Sequence, residues 1–321
     1  MRPLHTSADP AIGRPDSHAP ERPEHVRRPR DAFAWTYRTP PLRALGYTFA
    51  IRSSSEVVGR YLHELLSAFE EATVPEHVYS FVERRWSGDR FDVYRDGDVV
   101  STNASASTAL RHLLWDINRS VITSMPERLL LHASAVEHEG RAVLFPAPMG
   151  AGKTTLAAGL IQRGLRYLTD EAVAIDATSL EVQPYPKPLS IETGSWDVLH
   201  QLRPDVDPRL EAFLGSAWYV PPTAIRRDVV ARPCVPGAVI VARYEHGARS
   251  RCVGIRRAEA LIDVAENAFN ITGFGARRGM DVLARLVRSS RCYRLTMGDL
   301  DEACSIVLDV LGGTVFPEVA G

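Results

Sequence analysis

The sequence predicts an α/β fold, and three features of the chain support this prediction. The run 141–146 is apolar and short enough to be a buried strand. The glycine-containing stretch 147–155 follows it. Apolar residues then recur at helical spacing until Gly164, which is placed to end that helix. Because strand-like and helix-like patterns also alternate on both sides of this unit, we expect an α/β protein organised around it.

Length and composition restrict the class of protein. The 321 residues are 45% hydrophobic and 24% charged, as in globular proteins, and the length predicts two domains. The net charge of −1 indicates neither a nucleic-acid nor a membrane partner, and no apolar run approaches the ~20 residues that span a bilayer. Because the first residues lack a signal-peptide core, we expect a cytoplasmic protein. A homo-oligomer is possible.

The N-terminal third predicts a tail and a small domain. Residues 1–30 hold six prolines and few apolar side chains, which predicts a disordered tail. The segment 31–126 predicts a small accessory α/β domain, with a hairpin turn at Asp96-Gly97. Its predicted strands lie at 47–52, 78–82 and 91–94, and its predicted helices lie at 58–69 and 108–122.

The segment 127–321 predicts the main α/β domain. Prolines at 184–188 predict an ordered loop over 184–190, and a helix is expected near 195–202. The other predicted strands lie at 129–136, 141–146, 165–168, 172–175, 238–242 and 292–295. The other predicted helices follow the 147–155 stretch and lie at 258–269, 279–288 and 299–311.

The 147–155 stretch has the composition of a phosphate-binding loop. Glycines allow backbone N–H groups to point at an anion, and the following helix adds partial positive charge. Lys153 can reach terminal phosphates and the Thr154 hydroxyl can ligate Mg²⁺. Ala147 stands where the usual motif has glycine. The alternative is a glycine-rich turn with an incidental lysine. The predicted nucleotide-binding residues are Met149, Gly150, Ala151, Gly152, Lys153, Thr154 and Thr155.

Four other residues are candidates for chemistry. Asp170 and Glu171 follow a predicted strand, where ligands of open α/β sheets bind, and could divide metal binding and proton acceptance. The alternative is a capping acidic pair. His132 lies in an apolar strand, where a core role competes with a functional one. Lys187 is one of only two lysines in the chain, between two prolines, and could bind a phosphate or a substrate carboxylate, or be exposed.

These residues together resemble the kinase domain of HPr kinase/phosphorylase, which has the phosphoenolpyruvate-carboxykinase-like fold. That family has a strand His, a loop Lys 21 residues later and an acidic pair 17 residues after that, as do His132, Lys153 and Asp170-Glu171 here. A looser group of HPr-kinase-related proteins resembles the chain more closely, over about 128–312. The motifs shared with it lie at 131–133, 148–153, 170–171, 186–190, 293–295 and 298–301.

The resemblance implies an ATP- and Mg²⁺-dependent transfer of a phosphoryl group to a hydroxyl, usually of serine. It implies that Asp170 is the base toward the acceptor, that Glu171 and Thr154 belong to the metal site, and that His132 positions phosphates. The roles of Asp170 and Glu171 could be reversed, which would make Asp170 a metal ligand. Thr155 stands where HPr kinases have a glutamate, and their glycine-rich C-terminal signature has no counterpart here. HPr itself is therefore not the expected acceptor.

The sequence thus predicts a phosphotransferase whose acceptor is a serine of a peptide or small protein, or a small hydroxylated metabolite. A natural-product precursor peptide is one such acceptor. The alternative is a nucleotide-binding regulatory module without transfer activity. An ATPase of the motor or transporter type is disfavoured, because 172–176 resembles a hairpin rather than a separate strand that ends in a metal-binding Asp.

Overall fold

A computed structural model describes residues 33–84 and 89–313, which form a mixed α/β structure with three sheets. The predicted disordered tail over 1–30 lies outside the described residues. Within the two described ranges, no helix has both the length and the apolar character that crossing a membrane requires.

The first sheet has seven strands and is covered by two helices. Its strand order is β4-β2-β3-β5-β6-β7, and β1 pairs with β3. The pair β3/β5 is parallel and the other pairs are antiparallel. The elements are β1 (Tyr37–Arg38), β2 (Leu42–Ala44), β3 (Tyr47–Ser53), α1 (Glu56–Leu65), β4 (Glu70–Glu71), β5 (His77–Glu83), β6 (Arg90–Arg95), β7 (Asp98–Ser105) and α2 (Ala106–Thr123).

The second sheet has eight strands, in the order β12-β11-β8-β9-β15-β17-β16, with β10 also paired to β8; β13 and β14 form a separate pair. Its strands are β8 (Leu129–His138), β9 (Arg141–Pro146), β10 (Arg166–Thr169), β11 (Ala172–Ile175), β12 (Val182–Gln183), β15 (Pro236–Tyr244), β16 (Arg251–Gly254) and β17 (Arg291–Met297); the separate pair is β13 (Leu189–Glu192) and β14 (Ala217–Val220). The helices are α3 (Lys153–Gln162), α4 (Pro222–Ile225), α5 (Arg257–Glu266), α6 (Ile271–Phe274), α7 (Ala276–Ser289) and α8 (Leu300–Leu311).

Strand β9 shows why helices cover both faces of the second sheet. Its side chains alternate between the faces, and nearly all of them are apolar and buried. Val143 and Phe145 pack in the cluster that contains α3 and α8. Leu144 packs in the cluster that contains α5 and α7. A strand that is apolar on both faces requires a layer on each, which places β9, and the loop that follows it, at the centre of the structure.

The first sheet shares its core with segments that come much later in the chain. Phe213 packs against Phe81 and Phe91, with ring centroids 6.1 and 5.3 Å apart. Tyr185 stacks on Phe69 at 5.9 Å. These aromatic contacts join the first sheet to the loops that follow β12 and precede β14.

The predicted strand before the central loop and the predicted last helix are confirmed. The helix predicted at 195–202 is wrong, and the loop predicted over 184–190 ends two residues early. The strand at 141–146 is β9, and the helix expected at 299–311 is α8, preceded by the capping side chain of Asp299. The helix expected at 195–202 is instead two short 3₁₀ turns, because Trp196 stacks on Trp218 and donates a hydrogen bond to a strand carbonyl. The loop expected over 184–190 gives way to β13 at Leu189, since the prolines precede the strand and leave its pairing intact.

Candidate functional site

The 147–155 loop connects the end of β9 to the first turn of α3. Gly150 and Gly152 both have positive φ, 79° and 83°. Gly152 is also the residue before the helix, and a Cβ there would lie 3.2 Å from the Met297 methyl group. Both the backbone and the close approach therefore favour glycine at 152. The loop directs the N-terminus of a ten-residue helix toward the edge where β9 ends.

Strand pairing brings the predicted residues to that same edge. Ala133 of β8 lies opposite Pro146, the last residue of β9. His132 lies opposite Ala172, the first residue of β11, so Glu171 stands directly beside the histidine. Side chains that are up to 39 positions apart in the chain thus meet at one sheet edge.

Lys153 is buried and bends back onto its own loop. Its Nζ donates to the carbonyl oxygens of Ala147 at 2.7 Å and Pro148 at 2.8 Å. The Nζ also lies 3.0 Å from His132 Nε2. Burial lowers the pKa of Lys153 to about 8, against the opposing effect of the two nearby carboxylates. Among the residues that the structure describes, this ammonium group contacts acceptors but no carboxylate.

His132 is held as a neutral acceptor beside that lysine. Burial, followed by the positive charge of Lys153, lowers the pKa of His132. Since the ammonium group of Lys153 can only donate hydrogen bonds, His132 Nε2 accepts one and Nδ1 carries the ring proton. His132 Nδ1 is buried, and the backbone of Glu171 lies beside the ring and partly opposes the lowering of the His132 pKa. The site therefore contains a buried imidazole in contact with a buried cation.

Lys187 pairs with both members of the acidic pair. Its Nζ lies 2.8 Å from Asp170 Oδ1 and 3.3 Å from Glu171 Oε2. Burial opposes the charge on Lys187, but the two carboxylates outweigh it and raise the pKa of Lys187 above its usual value. The side chain of Asp170 is 1% exposed and that of Glu171 is 37% exposed. The two neighbouring carboxylates therefore differ in access: only Glu171 can be reached from solvent.

The hydroxyl groups around the acidic pair complete the network. Thr154 Oγ1 donates to Asp170 Oδ2 at 3.1 Å, and the phenol of Tyr167 donates to Asp170 Oδ1 at 2.8 Å. Thr155 Oγ1 lies 2.6 Å from Ser195 Oγ, which ties the loop helix to the 3₁₀ turn after β13. In the described part of the chain, no three His, Cys, Asp or Glu side chains cluster as metal ligands would.

Tyr167 and Ser195 also belong to the site, and their roles are not predicted by the sequence. Tyr167 lies three residues before Asp170 and reads as an apolar strand residue, which gave no signal of a role. Ser195 lies in a stretch that was predicted to be helical. The prediction for Lys187 left open whether it was exposed or bound an anion, whereas the structure buries it against two carboxylates.

Comparison with known proteins finds no related family and one weak structural similarity. No protein-family model matches the chain. No curated protein matches it either. Among solved structures, the HPr(Ser) kinase/phosphatase from Coxiella burnetii aligns with a TM-score of 0.30 and 11% identity, over 58% of this chain and 97% of that chain. A TM-score of 0.30 does not establish a shared fold or a shared activity.

Proposed function

We propose that the chain is an ATP-dependent kinase that transfers the γ-phosphoryl group to a hydroxyl acceptor. The observation that carries this proposal is the convergence of Lys153, Thr154, Asp170, Glu171 and Lys187 beside the N-terminus of α3. A site that combines an anion-binding helix terminus, a buried cation and an accessible carboxylate has the parts that phosphoryl transfer requires. Its acceptor is a serine of a peptide or small protein, or a small hydroxylated metabolite.

The phosphates bind at the 147–155 loop. Backbone N–H groups of the first turn of α3 have no partner within the helix and point toward the loop. Lys153 leaves the carbonyls of Ala147 and Pro148 and donates to the terminal phosphate. That exchange is favourable because the phosphate supplies the negative charge that the buried ammonium lacks. His132 Nε2 lies 3.0 Å from Lys153 Nζ, so the ring would orient that lysine for the phosphate.

Thr154 and Asp170 are the residues that would hold Mg²⁺. Thr154 Oγ1 and Asp170 Oδ2 are 3.1 Å apart, while Tyr167 and Lys187 engage the other oxygen, Oδ1. Hydroxyl and carboxylate oxygens suit Mg²⁺, which typically takes one or two carboxylates together with phosphates and water. When bound, Mg²⁺ neutralises charge on the phosphate oxygens. Lys187 and Tyr167 fix the orientation of Asp170.

We assign proton acceptance to Glu171, the reverse of the order that the family resemblance implies. The exposure of Glu171 supports this assignment, because a base has to reach the acceptor, and the side chain of Asp170 is enclosed. The acceptor oxygen forms a bond to the γ-phosphorus, and the bond from that phosphorus to the β,γ-bridging oxygen breaks. ADP leaves with the electron pair, and the acceptor proton passes to the carboxylate of Glu171.

The test separates binding from transfer. The full chain is incubated with γ-labelled ATP, Mg²⁺ and a serine-containing peptide library, with an alanine-substituted library as control. Nucleotide affinity is measured by calorimetry. Glu171→Gln should keep nucleotide affinity and lower transfer by about 100-fold or more. Asp170→Asn should weaken Mg²⁺-dependent nucleotide binding. Transfer at the wild-type rate in Glu171→Gln would show that Glu171 is not the base.

A second candidate function is nucleotide binding without transfer. The observation that favours it is that Lys187 contacts both carboxylates, so Glu171, the exposed member of the pair, is already ion-paired. Under this reading the protein binds nucleotide through Lys153 and forms no phosphorylated product with any acceptor. Nucleotide affinity that is lost in Lys153→Met, together with no transfer to peptides or to small hydroxylated compounds, would favour this function over kinase activity.

A further inference from the structure

A second polar site lies at the opposite edge of the eight-stranded sheet. Strands β9, β15 and β17 are parallel and adjacent, so they begin at one edge and end at the other. The 147–155 loop follows the end of β9. At the edge where the three strands begin there is a cavity of about 410 Å³. Strand β9 has six residues, and at ~3.3 Å per residue it separates the two sites by about 20 Å.

The cavity is strongly basic. Arg141, Arg257, Arg288 and Arg291 line it, and they come from the starts of β9, α5 and β17 and from the end of α7. Among the described residues that line it, Glu139 is the one acidic residue. The four arginines and this glutamate give the described lining a formal charge of +3, in a protein whose net charge is −1. This concentration of positive charge within a concave surface attracts anions.

The guanidinium groups retain unused donors. Arg141 donates to the carbonyl of Pro236 at 2.8 Å, and Arg291 donates to the last carbonyls of α8. Each of these two uses part of its five N–H donors. Within the described residues, the side chains of Arg257 and Arg288 make no hydrogen bond or ion pair. Two arginines are therefore anchored at the cavity wall, and two more are available to a ligand.

A buried hydroxyl group provides an independent sign of a ligand. Ser290 lines the cavity and is only 6% exposed. Its Oγ is enclosed and has no hydrogen-bond partner among the described residues. A buried polar atom without a partner carries a free-energy cost unless a ligand or water satisfies it. The arginines therefore point to an occupant with several acceptor oxygens, and the wall that they form also contains an unsatisfied hydroxyl.

We propose that this cavity binds a small, multiply charged phosphate compound, separately from the nucleotide site. Planar guanidinium groups match phosphate oxygens in a two-point geometry, and the volume falls within the usual range for small-molecule sites. A concave cavity on the sheet edge favours a compact ligand over a nucleic acid, which would need an extended basic surface.

The probe is inorganic pyrophosphate, titrated by calorimetry into the full chain at about 0.15 M salt, where long-range attraction is screened. The test variant is Arg257→Gln/Arg288→Gln. The matched control is Arg251→Gln/Arg277→Gln, which removes the same charge from exposed positions outside the cavity. Lys153→Met removes the loop lysine. Melting temperatures and circular dichroism verify that each variant folds.

We expect the test variant to weaken pyrophosphate binding at the cavity at least tenfold, and the control and Lys153→Met to leave binding at the cavity within about twofold. Unchanged binding in the test variant overturns the proposal, as does equal weakening in the control, which would indicate general charge attraction. Pyrophosphate binding that disappears entirely in Lys153→Met would place all of it at the loop and overturn the proposal. If a single-stranded 12-mer of DNA bound more tightly than pyrophosphate, through the same two arginines, the occupant would be a nucleic acid and the proposed small ligand would be wrong.

Discussion

The two lysines of this chain are predicted to affect stability in opposite directions. Lys153 is buried with carbonyl and imidazole acceptors, whereas Lys187 is buried against two carboxylates. Replacing Lys153 with Met removes a buried positive charge that lacks a contacting counter-charge. We therefore expect Lys153→Met to raise the free energy of unfolding at pH 7, although it removes the residue proposed to bind phosphate.

The magnitude follows from the pKa of Lys153. Burial lowers it from 10.5 to about 8. A difference of this size corresponds to about 3 kcal/mol at pH values below 8. Loss of the three hydrogen bonds to Ala147, Pro148 and His132 offsets roughly 2 kcal/mol of this gain, and that offset does not depend on pH. A net stabilisation of about 1 kcal/mol at pH 7 is the expected result.

The pH dependence of the effect has a defined sign. The folded protein releases the Lys153 proton near pH 8, while the unfolded chain holds it to about 10.5. Between these values the unfolded chain binds more protons, so the wild type gains stability relative to Lys153→Met by about 1.4 kcal/mol per pH unit. Urea unfolding of both proteins at pH 7, 8, 9 and 10 measures this gain. A stability difference that stays constant over this range would refute the reasoning.

Lys187→Met is the internal control for this prediction. It leaves the enclosed carboxylate of Asp170 without its cation, and losing one partner of a buried pair costs about 3–5 kcal/mol. The control should therefore destabilise the protein at pH 7. If both substitutions stabilised it, burial alone would decide the outcome, and the ion-pair geometry assigned to Lys187 would be wrong.

Two further predictions concern the loop and the shared core. Gly152→Ala should weaken nucleotide binding tenfold or more by calorimetry, because alanine is strained at a φ of 83° and its Cβ would lie 3.2 Å from Met297; unchanged affinity would contradict this. Phe213→Ala should lower the free energy of unfolding by about 3–5 kcal/mol, measured in urea, because the ring is 2% exposed and packs against Phe81 and Phe91; a loss below 1 kcal/mol would show that the two parts of the chain do not share a core.

The sequence predicted the elements that depend on local patterns. Strand β9 is confirmed at both ends because its apolar residues are bounded by a turn before Arg141 and by the loop after Pro146. Helix α8 is confirmed because Asp299 accepts a hydrogen bond from the N–H of Glu302, a cap that the sequence itself encodes. In both cases, the residues that set the boundary are neighbours in the chain.

Contacts between distant residues account for what could not be predicted. Strand β13 exists because it pairs with β14, almost thirty positions later, and no pattern near Leu189 encodes that partner. The phenol of Tyr167 reaches Asp170 only because β10 is held beside β8. The chemical types at the candidate site could be listed from the sequence. The sequence could not show which side chain would neutralise which, since that depends on how strands β8 to β11 align at one edge.

The charge balance of the site is a reason to expect a divalent cation with the nucleotide. Lys153 and Lys187 carry two positive charges, and Asp170 and Glu171 carry two negative charges, so the cluster is neutral before any ligand binds. A triphosphate brings several negative charges into this balance, and Lys187 cannot supply charge to it without abandoning Asp170 and Glu171. Lys153 alone offsets only one of them. Under the proposed function, the remaining charge would be offset by a cation that arrives with the nucleotide, and Thr154 and Asp170 are the residues proposed to hold it. Calorimetry with and without Mg²⁺ should therefore show tight nucleotide binding only when the ion is present, and equal affinity without it would contradict this charge balance.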